Sequence, residues 1–448
     1  VKLTPEVYKQ ISLAQAEPAW LLDQRISAWK SFEELPYPTV KDEEWKYTDL
    51  SGFGHADFNV EFEQGLFEKR REKDPELRSF IATVKGSKET EAGIVVEKNG
   101  FLAHREISKE LEKQGIIISD LKTALNCHPQ MVEPLLRDVR KISQSKFEAL
   151  HQAFWRGGMF VYVPAGATVR LPIYHLTTMA EPNAVVFPFT VALVDTGASL
   201  LLVDEMASTA PTAGAASNEK GGRQFSDACR YLYLKEDANC QYINIQRWGE
   251  NVTHFEFQVA RLERGAKFSS VNVGLGSQLS RAHVHTILEG VGSEANLLGV
   301  YFGHGRQHFD MHTTQDHESP QTTSDLLYKA ALKDSAQSSY QGIIRIPKNA
   351  QRSDAYQANK NLLLSQNAKA RSIPKLEILA DDVRCTHSAT VGTVDPEETF
   401  YLESRGLSHE DAVQMVVEGF FEQVFARIPS PEIQKRLHQI VQLKLGAK

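Results

Sequence analysis

The chain is poor in cysteine and has no paired cysteine motif. Its 448 residues contain four, Cys127, Cys229, Cys240 and Cys385, all widely separated. That spacing excludes a zinc ribbon, a Cys-x-x-Cys redox motif and a disulfide scaffold, and it fits a reducing cytosol. It also argues against a four-cysteine cluster site contained in the chain. No apolar run approaches the ~20 residues of a membrane span, and Val1-Lys-Leu-Thr does not read as a signal peptide. Charge of one sign is lacking too. The net charge is -7 with both signs mixed, which argues against nucleic-acid binding and against a membrane surface. There is no Gly-x-x-x-x-Gly-Lys-Ser/Thr nucleotide loop and no Gly-x-Ser-x-Gly elbow. Gly-x-Gly occurs at Gly274–Gly276 and Gly303–Gly305 but opens no helix. Nothing in these patterns singles out an acid–base pair or a nucleophile, so by chemistry alone an enzyme is possible but not indicated, and a cytoplasmic location fits best.

What is present divides the chain in three. Residues 1-155 read as a helical and mixed domain. Thr4-Pro5-Glu6 has a capping hydroxyl followed by Pro at the first helical position. Leu22, Ile26, Trp29 and Phe32 then follow at helical spacing. Further short helices are expected over Asp120–Leu125 and Phe147–Trp155. Residues 156-395 change character. Period-2 patterns dominate, and a small or polar residue followed by Ala and a strand keeps returning. It does so at Gly197-Ala-Ser-Leu, Asp237-Ala-Asn-Cys, Gly265-Ala-Lys-Phe, Ser335-Ala-Gln-Ser and Asn367-Ala-Lys-Ala. Many short strands with tight turns fit a stacked β-solenoid or a β-sandwich. The solenoid is preferred, because the strands between the later turns are strongly polar. Met206–Arg223, rich in Ala, Ser, Thr and Gly, reads as a surface loop. Residues 396-448 return to helix. Ser408-His-Glu-Asp411 is a capping-box variant, and Val413, Val416, Val417, Phe420, Phe421, Val424 and Ile428 follow at three- and four-residue steps. A second helix carries Ile433, Leu437, Ile440 and Val441 on one face. This hairpin either packs on the β-body or docks a partner.

Two constellations could bind metal. Cys385 and His387 lie two residues apart in strand-like sequence, so both side chains leave the same face. Two ligands make half of a site, which usually needs four, and another subunit would complete it. The bland alternative is a buried thiol and a strand histidine bonded to backbone. Asp381-Asp382 could support the imidazole or form a solvated turn. The second constellation is His283-Val-His285-Thr-Ile-Leu-Glu289, which matches the spacing of a cupin metal motif. It would make a metal-dependent enzyme of His283, His285 and Glu289.

Several runs resemble the SufB/SufD family of iron–sulfur cluster assembly proteins. They are Gln307-His-Phe-Asp310, Ser324-Asp-Leu-Leu-Tyr-Lys-Ala-Ala-Leu332, Gly342-Ile-Ile-Arg-Ile, Asp354-Ala-Tyr-Gln-Ala-Asn-Lys-Asn-Leu-Leu-Leu-Ser365, Pro374-Lys-Leu-Glu-Ile-Leu-Ala-Asp-Asp-Val-Arg-Cys-Thr-His387 and Phe400-Tyr-Leu-Glu-Ser-Arg-Gly-Leu407. The likeness is dense over 300–430 and thinner elsewhere. Cys-Thr-His-Ser-Ala-Thr-Val-Gly resembles the SufD type, whereas SufB chains usually carry Glu-His-Glu-Ala-Thr here. Ser388 stands where Gly is usual, and a SufB-type paralogue is the close alternative. The resemblance implies a mainly β fold, a right-handed parallel β-helix core with helical N-terminal and C-terminal parts. It implies a scaffold that pairs with a SufB-like subunit through its last rungs and binds a SufC-like ABC ATPase through its C-terminal helices. Val417, Phe420, Phe421 and Val424 are then the expected docking residues. A transient iron–sulfur cluster would assemble at the subunit interface, with His387 as a ligand and Cys385 beside it. No cofactor would be tightly bound by the chain alone. A homodimer of the isolated chain is a further partner that the resemblance admits.

Overall fold

The structure is a computed structural model, and it describes residues 1–60, 92–142, 145–208, 222–428 and 430–445. Alternating side chains and frequent corners fold the middle of the chain into a parallel β-solenoid of about eight turns, with helices toward both termini. Two sheets face each other across a lumen. The first runs in the order β2 (Phe101–Ile107), β1 (Gly93–Lys98), β5 (Ile173–Met179), β8 (Ser199–Ser208), β10 (Asn239–Arg247), β12 (Lys267–Gly274), β14 (Glu294–Gly303), β16 (Thr323–Leu332), β18 (Asp354–Leu363) and β20 (Arg384–Thr393). The second runs β3 (Ile117–Asp120), β4 (Met159–Val163), β7 (Phe189–Val194), β9 (Gln224–Leu234), β11 (Val252–Leu262), β13 (Leu279–Leu288), β15 (His308–His317), β17 (Gln337–Ile346) and β19 (Lys369–Ile378), with β6 (Val185–Val186) beside β9.

Each turn lays a strand in register on the previous one. Glu294 pairs with Thr323, and Thr323 with Asp354. Residues of one parity therefore stack in rows on one face, and the inward rows form a continuous core that includes Leu200, Tyr242, Phe268, Leu297, Leu326 and Tyr340. The recurring alanines mark the corners. Ala198, Ala238, Ala266, Ala336 and Ala368 are all buried, and the corresponding corners at Thr322 and Ser353 also bury a small side chain. Asp237, in the left-handed region at φ 55°, and Gly265, at φ 65°, make the bends before two of them. The sheet also begins earlier than the period-2 region, because β1 pairs in parallel with β5.

Both outer faces are covered. The helices α1 (Pro5–Gln15), α2 (Ala19–Glu34), α3 (Lys109–Lys113), α4 (Leu121–Cys127), α5 (Pro129–Ile142) and α6 (Lys146–Phe154) lie in the N-terminal region. An aromatic cluster pins this region to the second sheet. The Phe147 and Phe255 rings lie 4.2 Å apart, and those of Phe53 and Phe225 4.9 Å apart. Two details differ from expectation. Thr4 makes no side-chain cap bond. The buried stripe of α2 is Leu21, Arg25, Trp29 and Phe32, with Ile26 exposed. Arg25 takes the inward position because Glu17 and the Ala153 carbonyl satisfy its guanidinium. Of the loop expected over 206–223, Met206 to Ser208 continue strand β8, and 209–221 lie outside the described residues.

At the other terminus α7 (Pro396–Ser404), α8 (His409–Phe425) and α9 (Pro431–Leu445) follow the last strand. The Ser408 side chain accepts from the Asp411 N–H, as a capping box should. The stripe on α8 and α9 faces the first sheet. Val417, Phe421, Val424, Ile433, Leu437 and Val441 pack with Ile243, Val271, Leu298 and Leu327. This corrects the expectation that Val417, Phe421 and Val424 are displayed to a partner. They are fully buried within the chain, and Phe420 is half-buried with its ring under the Lys329 ammonium at 4.3 Å. The face left outward shows Met415, and α7 shows Phe400 and Tyr401.

Candidate functional site

The two ends of the lumen differ. At the first, the antiparallel strands β2 and β3 close the sheets, and Leu111, Ile116 and Ile118 join the lumen core. At the last, nothing stacks beyond β19 and β20 in either sheet among the described residues. Their inward rows stand open. Val391 is 48% exposed and Leu376 36%, positions that would be core one turn earlier.

Cys385 and His387 lie on β20 in this open row. Cys385 is level with Ala355 of β18 and His387 with Gln357. Shared parity puts both side chains on the lumen side, as the two-residue spacing predicts. Their surroundings differ. Cys385 is half-buried against the cluster of Ile344, Ile346, Ala350, Ala355 and Ala380. Burial first, and then the Asp354 carboxylate, push its thiol up to about 11. A metal taken there must displace that proton. His387 is exposed. The site is thus one imidazole and one thiol on an edge strand whose outer N–H and C=O groups have no neighbouring strand. The Asp381-Asp382 pair does not support the imidazole. It forms a turn in which the Asp382 N–H donates to Gln351 Oε1 at 2.9 Å and the Asp382 carbonyl accepts from Arg352.

The cupin-like alternative is overturned. His283 and His285 point outward from β13 with rings stacked at 5.9 Å, but each is already bonded. His283 meets Thr314 Oγ1 at 3.0 Å and His285 meets Asp316 Oδ2 at 2.6 Å. Glu289 accepts from Arg261 Nε at 2.6 Å instead of turning to the histidines. Among the described residues no three His, Cys, Asp or Glu side chains are arranged to hold a metal.

Sequence reasoning missed a chain of ionisable groups inside the lumen. His175 lies between Glu97 Oε2 and Asp204 Oδ1, at 3.3 Å from each. Thr190 Oγ1 donates to Asp204 Oδ2 at 2.6 Å, and Arg230 Nε to the same oxygen at 3.1 Å. Arg230 also faces Glu256 at 3.7 Å, which bonds Asn244 and His254. All are buried. Burial alone would lower the His175 pKa, but the Asp204 and Glu97 carboxylates outweigh it and raise it to about 9. Burial would raise Asp204, and Arg230 and His175 instead hold it below the carboxylate range. The chain leads from the closed end into the middle turns and ends before the open rung.

Fold and site together define a parallel β-solenoid protein that closes one end of its lumen and presents two metal-capable donors at the other. Known proteins narrow this further. The family profile described as SUF system FeS cluster assembly, SufBD core domain, matches residues 176–420, and that of the SufBD protein N-terminal region matches 6–174. An iron-sulfur cluster assembly SufBD family protein of Staphylococcus haemolyticus is 27% identical over 432 residues, covering 95% of this chain and 90% of that one. Proteins of the same description from Staphylococcus epidermidis and Staphylococcus aureus are 28% identical over 432 residues, with the same coverage. The chain belongs to the SufBD family of the SUF iron–sulfur cluster assembly system, as the motifs over 307–407 indicate. No helix among the described residues is long and apolar enough to cross a membrane.

Proposed function

We propose that this chain is a SufD-type scaffold subunit and not an enzyme. It pairs through the open rung of β19 and β20 with a SufB-like subunit. A nascent iron–sulfur cluster assembles as cargo between them, with His387 as this chain's ligand and Cys385 as an accessory thiol. ATP hydrolysis belongs to a SufC-like partner, docked on the outward side of the C-terminal helices near Phe400, Tyr401 and Met415. The inward residues Val417, Phe421 and Val424 support that surface from beneath. The complex works in the cytoplasm, and the isolated chain holds no resident cofactor. The observation that carries this reading is the uncapped last rung bearing an exposed histidine. One edge and two donors need a second edge with further donors to complete both ladder and site.

Native mass spectrometry of the chain co-expressed with SufB- and SufC-like proteins of the same genome tests the partners. The expected assembly holds one copy of this chain, one SufB-like and two SufC-like subunits. Replacing His387 by Ala should leave that mass unchanged while cluster yield collapses. A chain that ignores both partners sinks the reading.

A further inference from the structure

We propose that Gln357 is a positioning residue for His387, orienting its ring so that one nitrogen is free for the cluster. This rests on His387 serving the cluster as proposed above. The two residues are in-register neighbours on adjacent parallel strands, about 4.8 Å apart along the ladder and on the same side of it. Gln357 is 1% exposed, and its amide reaches across the lumen. A Cβ added at Gly342 of the facing sheet would lie 2.3 Å from Gln357 Nε2 and 2.4 Å from Tyr340 Oη. Glycine at 342 is what leaves room for that reach. The Tyr340 hydroxyl is occupied by Thr313 Oγ1 at 2.7 Å, whereas Gln357 Nε2 and Oε1 make no hydrogen bond to another group of the chain among the described residues.

A buried amide with neither atom bonded is costly and uncommon in a folded protein. Here it sits one layer beneath the open rung, directly under the histidine. The inward positions of β18 on either side of it cannot take its place. Ala355 has no polar atom, and Asn359 is bonded to Asn361 and to the Tyr328 carbonyl. A neutral imidazole offers one N–H and one lone pair. The amide oxygen of Gln357 accepts the ring N–H, which fixes the tautomer and aims the other nitrogen out of the lumen. Ligating histidines commonly receive such support. The exposed ring folds onto the amide when the partner rung closes the lumen and excludes water.

The test uses the assembled complex with its SufB- and SufC-like subunits, comparing the wild type with Gln357→Leu, Gln357→Met and Gln357→Glu. Three quantities are read: melting temperature, cluster loss to a chelator, and the histidine-nitrogen coupling of the reduced cluster by pulsed EPR. Leu and Met should keep the melting temperature and the subunit masses, yet lose cluster roughly ten- to a hundredfold faster. Glu keeps an acceptor oxygen, and its carboxylate is paired because the ring N–H donates to it, so this variant should hold the wild-type rate. Wild-type cluster retention in Leu and Met would overturn the inference, provided that the coupling is present in the wild type and absent from His387→Ala. So would a fall in melting temperature that accounts for the cluster loss, because the amide would then be structural. A wild-type cluster with no coupling sensitive to His387 would instead remove the ligand reading, and this inference with it.

Discussion

The first and last turns of the solenoid are built from the same kind of strand and meet opposite fates. At the first, α3, β3 and the link between them place Leu111, Ile118 and Ile116 in the lumen. At the last, Leu376, Val391 and His387 occupy equivalent inward rows and face solvent. An inward apolar side chain left in water forgoes about 25 cal/mol per Å² of burial, and an uncapped edge invites pairing. A chain that closes one end and leaves the other open has, among its described residues, one strand edge and one apolar row that it does not cover itself. The contrast extends to the polar groups. The closed end and the ionic lumen are buried, whereas at the open rung His387 is exposed and Cys385 only half-buried.

The sharpest way to break the contrast is to charge the closed end. Ile118→Asp puts a carboxylate among Val95, Val161 and Leu111, where the nearby Arg105 guanidinium is already engaged by the carbonyl of residue 118. It should cost on the order of 5 kcal/mol in urea unfolding or prevent folding outright. The next effect lies in the lumen and is set by pH. His175 has its pKa raised on folding to about 9, so its contribution is complete below its ordinary value near 6.5 and is lost as pH climbs through 9. Between pH 6.5 and 10 the chain should lose up to about 3 kcal/mol of stability from this group. His175→Gln should flatten that part of the profile. An equal slope in wild type and variant would show that the His175–Asp204 pair does not stabilise the fold. Asp204 acts in the opposite sense. Its lowered pKa contributes at neutral pH and is lost in acid.

How much of this was legible in sequence depended on whether local pattern or distant packing decided each feature. The corner alanines were legible because a small residue in a buried bend recurs at many of the turns. The repeat itself was not strict, because register is kept between strands while corner lengths vary. The α8 stripe was legible as a stripe, but not the direction it faces, since both a sheet and a partner accept the same apolar face. The lumen charges were invisible for a related reason. Alternation assigns polar residues to solvent, yet here helices cover the outer faces. Asp204, Arg230 and Glu256 turn inward and satisfy one another across strands far apart in sequence. Cys385 and His387 were correctly given a common face. That this face is a lumen left open follows from the lack of a further rung, which no local pattern encodes.

The smallest expected effect on folding, and the largest on assembly, belongs to the open rung. Val391 is inward by parity, level with Asn361 of β18, and already half in water. Val391→Asp exposes its carboxylate where solvent already reaches, so urea unfolding of the isolated chain should change by no more than about 0.5 kcal/mol. In the assembled complex the same carboxylate would be driven into the junction of two lumens without a counter-charge. A desolvated unpaired charge at an interface costs several kcal/mol, and every 1.4 kcal/mol is tenfold in affinity. Pairing with the SufB-like subunit should therefore weaken at least a hundredfold by titration, while the chain still folds and still binds its ATPase partner through the C-terminal helices. Undiminished pairing would mean that the last rung is not the contact, and that the open end must be explained by some other neighbour. A marked loss of stability in the isolated chain would mean that Val391 is already sheltered, and the contrast between the two ends would be weaker than their exposure implies.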